Sequence, residues 1–259
     1  MRQSLFCAFS IAAILPVLTV ADTPKAAHPD LSGIWSYAID LPPAAIKKQV
    51  NGSATVQKVN RGVTVAKTVK GALPSTPAPS YKPELLAKVK DLADHESKTD
   101  EVFYCGKPGI PRIGPPRKIV QTPSEVIFFY EDISGDPYRI IPTDGRPHRP
   151  DADPTYYGDS VARWDGDTLV IDVTNFVDDT WFGEDGYFHS DAMHVTERLW
   201  RDGENLIYQV TVEDPKVLTT PWTMPARVVK PSTEPLLESP RCVEADANRL
   251  VNNDHHSQR

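Results

Sequence analysis

Two Asp-Gly pairs, each set between alternating apolar runs, constrain the fold of this chain more than any other feature. Residues 160–164 and Thr168–Thr174 flank Asp165-Gly166, and residues 193–201 and 204–213 flank Asp202-Gly203. An Asp-Gly pair supplies the positive φ that a two-residue β-turn needs, so each predicts an antiparallel hairpin. Lys118–Gln121 and residues 126–131, around Thr122-Pro123-Ser124, predict a third. A Ser134-Gly135-Asp136-Pro137 turn leads into another strand, Tyr138–Pro142, and residues 31–37 read as the first strand. One helix is expected over residues 83–96, where Pro83 opens a stripe of Leu85, Leu86, Val89, Leu92 and Ala93 at helical spacing. Sequential hairpins with a single helix predict an all-β, mainly antiparallel fold, a strongly curved sheet or barrel with one packed helix.

The N-terminus limits where such a fold matures. Arg2 precedes an apolar, uncharged run over residues 5–20, and Thr19-Val20-Ala21 suits a cut before Asp22. The run is shorter than the ~18–20 residues a membrane span needs, and Pro16 interrupts it. Residues 1–21 are therefore expected to be a secretory signal, residues 22–244 one domain, and residues 245–259, with His255 and His256, a solvated tail. Residues 41–80 stand apart in composition, as an added hairpin or ordered insertion. The expected location is periplasmic or secreted.

An oxidising compartment fits the cysteines. Cys7 leaves with the signal, and Cys105 and Cys242 are expected to form a disulfide that ties the C-terminal segment to the middle of the chain. A loop of that length stabilises by roughly 4–5 kcal/mol in the chain-entropy treatment, an upper value. Without the signal, 27 basic residues face 35 acidic ones. That balance argues against nucleic acid as partner and offers nothing to an anionic membrane surface. No membrane span is expected after processing.

The last hairpin can be read further. With Asp202-Gly203 as the turn, Arg201 faces Glu204, Leu199 faces Leu206 and Glu197 faces Tyr208, all on one mostly aliphatic face. That inward face then holds a carboxylate opposite a phenol. Glu197 is either a satisfied core residue, held by Tyr208 or by an arginine such as Arg139 or Arg163, or a general acid/base of raised pKa lining a cavity. Alternation sends His194 to the opposite face. The preceding hairpin places Ala162, Trp164, Leu169, Ile171 and Val173 together, with Trp164 available as a pocket wall.

Loaded loops join these strands. Asp144, Arg146 and His148 lie in one; Asp178, Asp179 and Trp181 precede His189, Asp191 and His194 in another. Rigid sheets commonly position functional loops of this kind. Three chemistries can be weighed. His189, Asp191 and His194, with Glu197, offer N and O ligands for zinc or manganese, at a spacing that matches no standard signature. Gly158-Asp159-Ser160 is similar to the Gly-Asp-Ser block of a family of serine esterases, but here it opens a mid-chain β-hairpin. Metal-free acid/base work fits the inventory best. His148, His189 or His194 would act with Glu197 while Arg146 or Tyr208 steadies an oxyanion; Trp164, Trp181, Asp144 and Asp191 would contact substrate. No cofactor is required by that reading.

Asp30-Leu31-Ser32-Gly33-Ile34-Trp35 resembles the Gly-x-Trp first strand of lipocalin-like barrels. From Cys105 onward the chain resembles a family of uncharacterised secreted bacterial proteins, through residues 105–112, 144–148, 158–168, 189–198 and 213–222. These resemblances imply an exported, lipocalin-like barrel and no particular activity. The expectation drawn is an exported β-barrel enzyme (lyase, isomerase or hydrolase) acting on a small, partly apolar molecule, with a non-catalytic lipocalin-like carrier as the rival.

Overall fold

The computed structural model describes residues 28–36, 77–132 and 134–243 in full, together with the backbone of strands within 46–70. The expected signal over residues 1–21, the tail over 245–259 and the side chains of 41–76 lie outside the described residues.

The described residues form thirteen strands: β1 Gly33–Ser36, β2 Ile46–Val50, β3 Ser53–Asn60, β4 Val63–Lys70, β5 Lys118–Gln121, β6 Glu125–Phe129, β7 Tyr138–Pro142, β8 Asp159–Asp165, β9 Thr168–Thr174, β10 His194–Asp202, β11 Asn205–Glu213, β12 Trp222–Thr223 and β13 Arg227–Pro231. Nine of them run in the order β7-β6-β5-β1-β13-β11-β10-β9-β8, every pair antiparallel, with β12 beside β11. The path curls until β7 and β8 lie side by side, making a nearly closed barrel. β2, β3 and β4 form a separate sheet over the stretch read as an insertion.

Alternation builds the interior. Phe128, Ile141, Ile171, Leu199 and Val210 are all essentially sealed from solvent and belong to one continuous core. Trp35 is buried in the same core: its indole Nε1 donates to the Leu31 carbonyl at 3.2 Å, and the Arg201 guanidinium lies 4.7 Å from the ring centroid. A cation over an indole face adds attraction to the area it covers.

Both Asp-Gly hairpins form one step later than the sequence suggests. Asp202 pairs with Asn205 and Asp165 with Thr168, leaving Gly203-Glu204 and Gly166-Asp167 as the loops. Gly203 (φ 59°) and Gly166 (φ 60°) thus sit first in their turns, where a II′ hairpin needs the glycine. Moving the turn by one residue advances both strands together, so each face keeps its members. Glu197 now pairs with Val210 and Leu199 with Tyr208, which makes Glu197 and Tyr208 diagonal rather than direct neighbours.

The expected helix is a 3₁₀ turn, Pro83–Leu85, running into α1, Leu86–Asp94, followed by a short α2, Glu96–Thr99. Leu85, Val89 and Leu92 pack on the core. The Cys105–Cys242 disulfide joins Cα atoms 5.7 Å apart.

Candidate functional site

Inside the barrel, Glu197, Arg139 and Tyr208 are 0%, 5% and 2% exposed. The Tyr208 hydroxyl donates to Glu197 Oε1 at 2.8 Å, and Arg139 approaches Oε2 at 2.7 Å. Arg139 also donates to the Tyr130 hydroxyl at 3.1 Å and to Ser160 Oγ at 2.8 Å. Burial works against the charge on Arg139, but the Glu197 carboxylate and the Tyr130 hydroxyl outweigh it and hold its pKa above the usual range. Burial, reinforced by Glu197, pushes the Tyr208 phenol well upward, so it stays a neutral donor. Of the readings open for Glu197, the geometry is that of the held core residue, with Tyr208 and Arg139 both engaged. A carboxylate that is buried, ion-paired and hydrogen-bonded cross-links strands.

His189 is equally internal. Its Nε2 accepts from the Thr180 hydroxyl at 2.8 Å and its Nδ1 donates to the Ser190 carbonyl at 2.9 Å. Burial pushes its pKa below the ordinary value. A neutral imidazole with one donating and one accepting nitrogen satisfies both partners. Trp181 is buried in the same region and Trp164 stacks face to face on His28, 4.5 Å between centroids.

The acid/base residues that do gather lie on the outside of β8, β9, β10 and β11. Asp172, in the middle of β9, receives His148 Nε2 at 2.7 Å on one carboxylate oxygen and His194 Nε2 at 2.9 Å on the other. His148 Nδ1 continues to Asp159 at 2.9 Å, which is also held by Arg149 Nε at 2.7 Å. His194 Nδ1 reaches Glu213 at 3.1 Å. The result is an unbroken row, Arg149–Asp159–His148–Asp172–His194–Glu213, of alternating charge type. Burial lowers the affinity of His148 for a proton, yet its bonds to Asp172 and Asp159 raise its pKa overall. Burial raises Asp159 and Asp172 in turn, but Arg149 and the two imidazoles hold both below the ordinary carboxylate value.

The Glu213 end of the row opens into a groove of about 620 Å³. His194, Glu213 and Asp214 give it a polar wall; Pro215, Leu218 and Pro221 give it an apolar one. Asp214 is buried and fixes the groove from below, accepting from Ser190 N at 2.7 Å, Ser190 Oγ at 2.9 Å and Lys216 N at 3.0 Å.

The remaining expected site residues go elsewhere. Asp144 and Arg146 form an exposed pair of their own, which lowers the Asp144 pKa to about 2. Asp191 pairs with Lys216 on the surface. His189, Asp191 and His194, weighed above as metal ligands, thus have three different sets of partners, and among the described residues no group of three or more His, Cys, Asp or Glu is arranged to hold a metal ion. Ser160 of the Gly-Asp-Ser block serves Arg139, and Asp159 serves His148 and Arg149.

Asp172 and Glu213 were not among the expected site residues. Their signal was present: each is an acid on the outer face of a strand whose other side is mostly aliphatic, Glu213 directly opposite His194 and Asp172 opposite Thr196, two residues along the same face of β10. Comparison with family models, curated proteins and solved structures finds no match.

Proposed function

We propose that this protein is an exported β-barrel enzyme that performs proton-transfer chemistry on a small, partly apolar molecule bound in the groove beside His194. One observation carries the reading: an imidazole at the groove wall, about one-third exposed, is oriented by Asp172 through Nε2 and meets the half-exposed Glu213 through Nδ1. Asp172 sets the ring's orientation, and the His194–Glu213 pair moves the proton. Glu213 lies at the longer contact, where a substrate polar atom can take its place. Pro215, Leu218 and Pro221 supply apolar contact, and Thr219 and Thr220 supply hydroxyls. The buried pair of Glu197 and Arg139 then serves the fold. The chemistry asked of such a pair, a factor of about 10²–10⁴ in rate, is what general acid/base catalysis supplies. Lyase, isomerase and hydrolase reactions all draw on it. The Cys105–Cys242 bridge supports an oxidising, periplasmic or secreted location.

A carrier is the second reading, favoured by the same ring: both His194 nitrogens already have carboxylate partners, as in a binding site that orients a donor-rich ligand. A thermal-shift screen of sugars, phenolics and steroids, followed by turnover assays on every hit, separates the two. The enzyme reading expects turnover that falls at least about a hundredfold in His194→Gln with an unchanged melting temperature. Stabilising ligands that are never transformed would overturn it in favour of the carrier.

A further inference from the structure

The acidic character of this chain is not evenly spread. Between residues 41 and 83 there are seven Lys and Arg and no Asp or Glu, while the rest of the chain holds all 35 acidic residues and the other 21 basic ones. Five of the seven cations, Lys47, Lys48, Lys58, Lys67 and Lys70, belong to the strands of the β2–β3–β4 sheet, and a sixth, Arg61, lies between β3 and β4 in sequence. Among the described residues that sheet pairs only with itself, and its ladder sets Lys48 beside Thr55, Lys58 beside Val65, Lys67 beside Val56 and Lys70 beside Ser53. Lysines are thus distributed along the whole element among valines and threonines.

We propose that the sheet spanning 46–70 is a cationic arm that binds the surface of an anionic lipid bilayer. Whole-chain charge conceals this, because the sign reverses between arm and barrel. The ladder sets Lys48 and Lys70 on one face of the sheet and Lys58 and Lys67 on the other, so whichever face meets an anionic bilayer presents lysines to it, and their attractions add without any pocket. The shared chemistry is the phosphate diester, which nucleic acid also carries. Two features favour lipid: no Trp, Tyr or Phe occurs between 41 and 80 to stack on bases, and five of the six cations are Lys, a hydrated point charge rather than a planar fork.

The described chain that follows the sheet in sequence, from Pro77, packs beside the groove. Beyond Lys70 the chain returns to the barrel at Pro77, whose carbonyl accepts from Trp222 Nε1 at 2.5 Å. Ser80 then accepts from Thr219 N at 2.8 Å, and Lys82 N donates to the Val217 carbonyl at 2.9 Å. Thr219 and the neighbouring Leu218 line the groove.

The test is sedimentation of the full mature protein with vesicles of phosphatidylcholine alone and of phosphatidylcholine with added phosphatidylglycerol. Binding to the anionic vesicles is expected to be at least about tenfold tighter and to weaken as salt is raised. Replacing the six cations by Gln abolishes that difference, and replacing the five lysines by Arg retains it; the second variant guards against loss of binding through misfolding. Equal binding to both vesicles, or binding unchanged by the Gln set, overturns the proposal. Displacement by millimolar inorganic phosphate overturns it in favour of a discrete phosphate site, and binding to duplex DNA without binding to vesicles overturns it in favour of nucleic acid.

Discussion

Asp172 accepts a hydrogen bond from His148 on one carboxylate oxygen and from His194 on the other. One acid thereby couples a loop histidine to the histidine at the groove. The coupling has a pH signature with a definite sign. His148 is raised above its ordinary value near 6.5, so its contribution to stability is complete below that pH and is lost as pH rises through the folded value. Asp172 is lowered below its ordinary value near 3.8, so its contribution is present above that pH and is lost as pH falls through the folded value. Both are complete between those two ordinary values. Melting temperature should therefore peak in that window, and Asp172→Asn should flatten the profile on both sides while returning the His148 titration, followed by NMR, towards normal.

The buried ion pair gives a second expectation. Glu197→Gln leaves Arg139 charged and uncompensated inside the barrel, which costs about 3–5 kcal/mol in urea unfolding. Replacing Glu197 by Leu and Arg139 by Met together should cost less than the sum of the single changes. An additive result would mean that the two residues do not act as a pair.

Glu213→Gln probes the groove without touching the core. The side chain is half exposed, so unfolding free energy should change by less than about 0.5 kcal/mol. Turnover, once a substrate is found, should fall with kcat rather than with KM.

Gly186 tests how α1 is seated. Its φ is +76°, and a Cβ there would lie 2.4 Å from the Val89 carbonyl and 2.8 Å from Ala93 N. Gly186→Ala costs about 1–3 kcal/mol from the backbone conformation alone, and the clash with helix backbone adds to it. Hydrogen exchange over 86–94 should rise more than over β9 and β10.

Separating Cys105 from Cys242 should lower stability by roughly 2–4 kcal/mol, read as a shift in the denaturation midpoint of Cys105→Ser/Cys242→Ser.

Most of the barrel was legible because strand alternation has a period of two and survives an error in the turn. The hairpins of Asp165 and Asp202 close one residue late, yet Ala162, Ile171, Leu199 and Tyr208 face the core as their alternation requires. The inward carboxylate of Glu197 was legible for the same reason, and Arg139 was among the partners expected for it. Its role was harder to read, because the sequence cannot say whether an inward-facing acid meets a cavity or an arginine from a strand that is distant along the chain. The loop residues were the least legible. Asp144, Arg146, His189 and Asp191 share a loaded composition, but loops have no periodicity, and each has partners of its own away from the row. Asp172 went unselected because a lone acid on an outward strand face is ordinary; only the fold brings His148 across to it.

The barrel's two end strands meet without a continuous backbone ladder between them; what spans that seam is the Arg139 side chain, reaching from β7 to Ser160 on β8 and to Glu197 on β10. Strand edges left open are templates for pairing with other molecules. Arg139 is thus a rivet against self-association: once it is gone, the cylinder can part along this line and offer β7 and β8 to a neighbour, so the first visible failure of an Arg139 variant should be aggregation during folding rather than loss of any ligand.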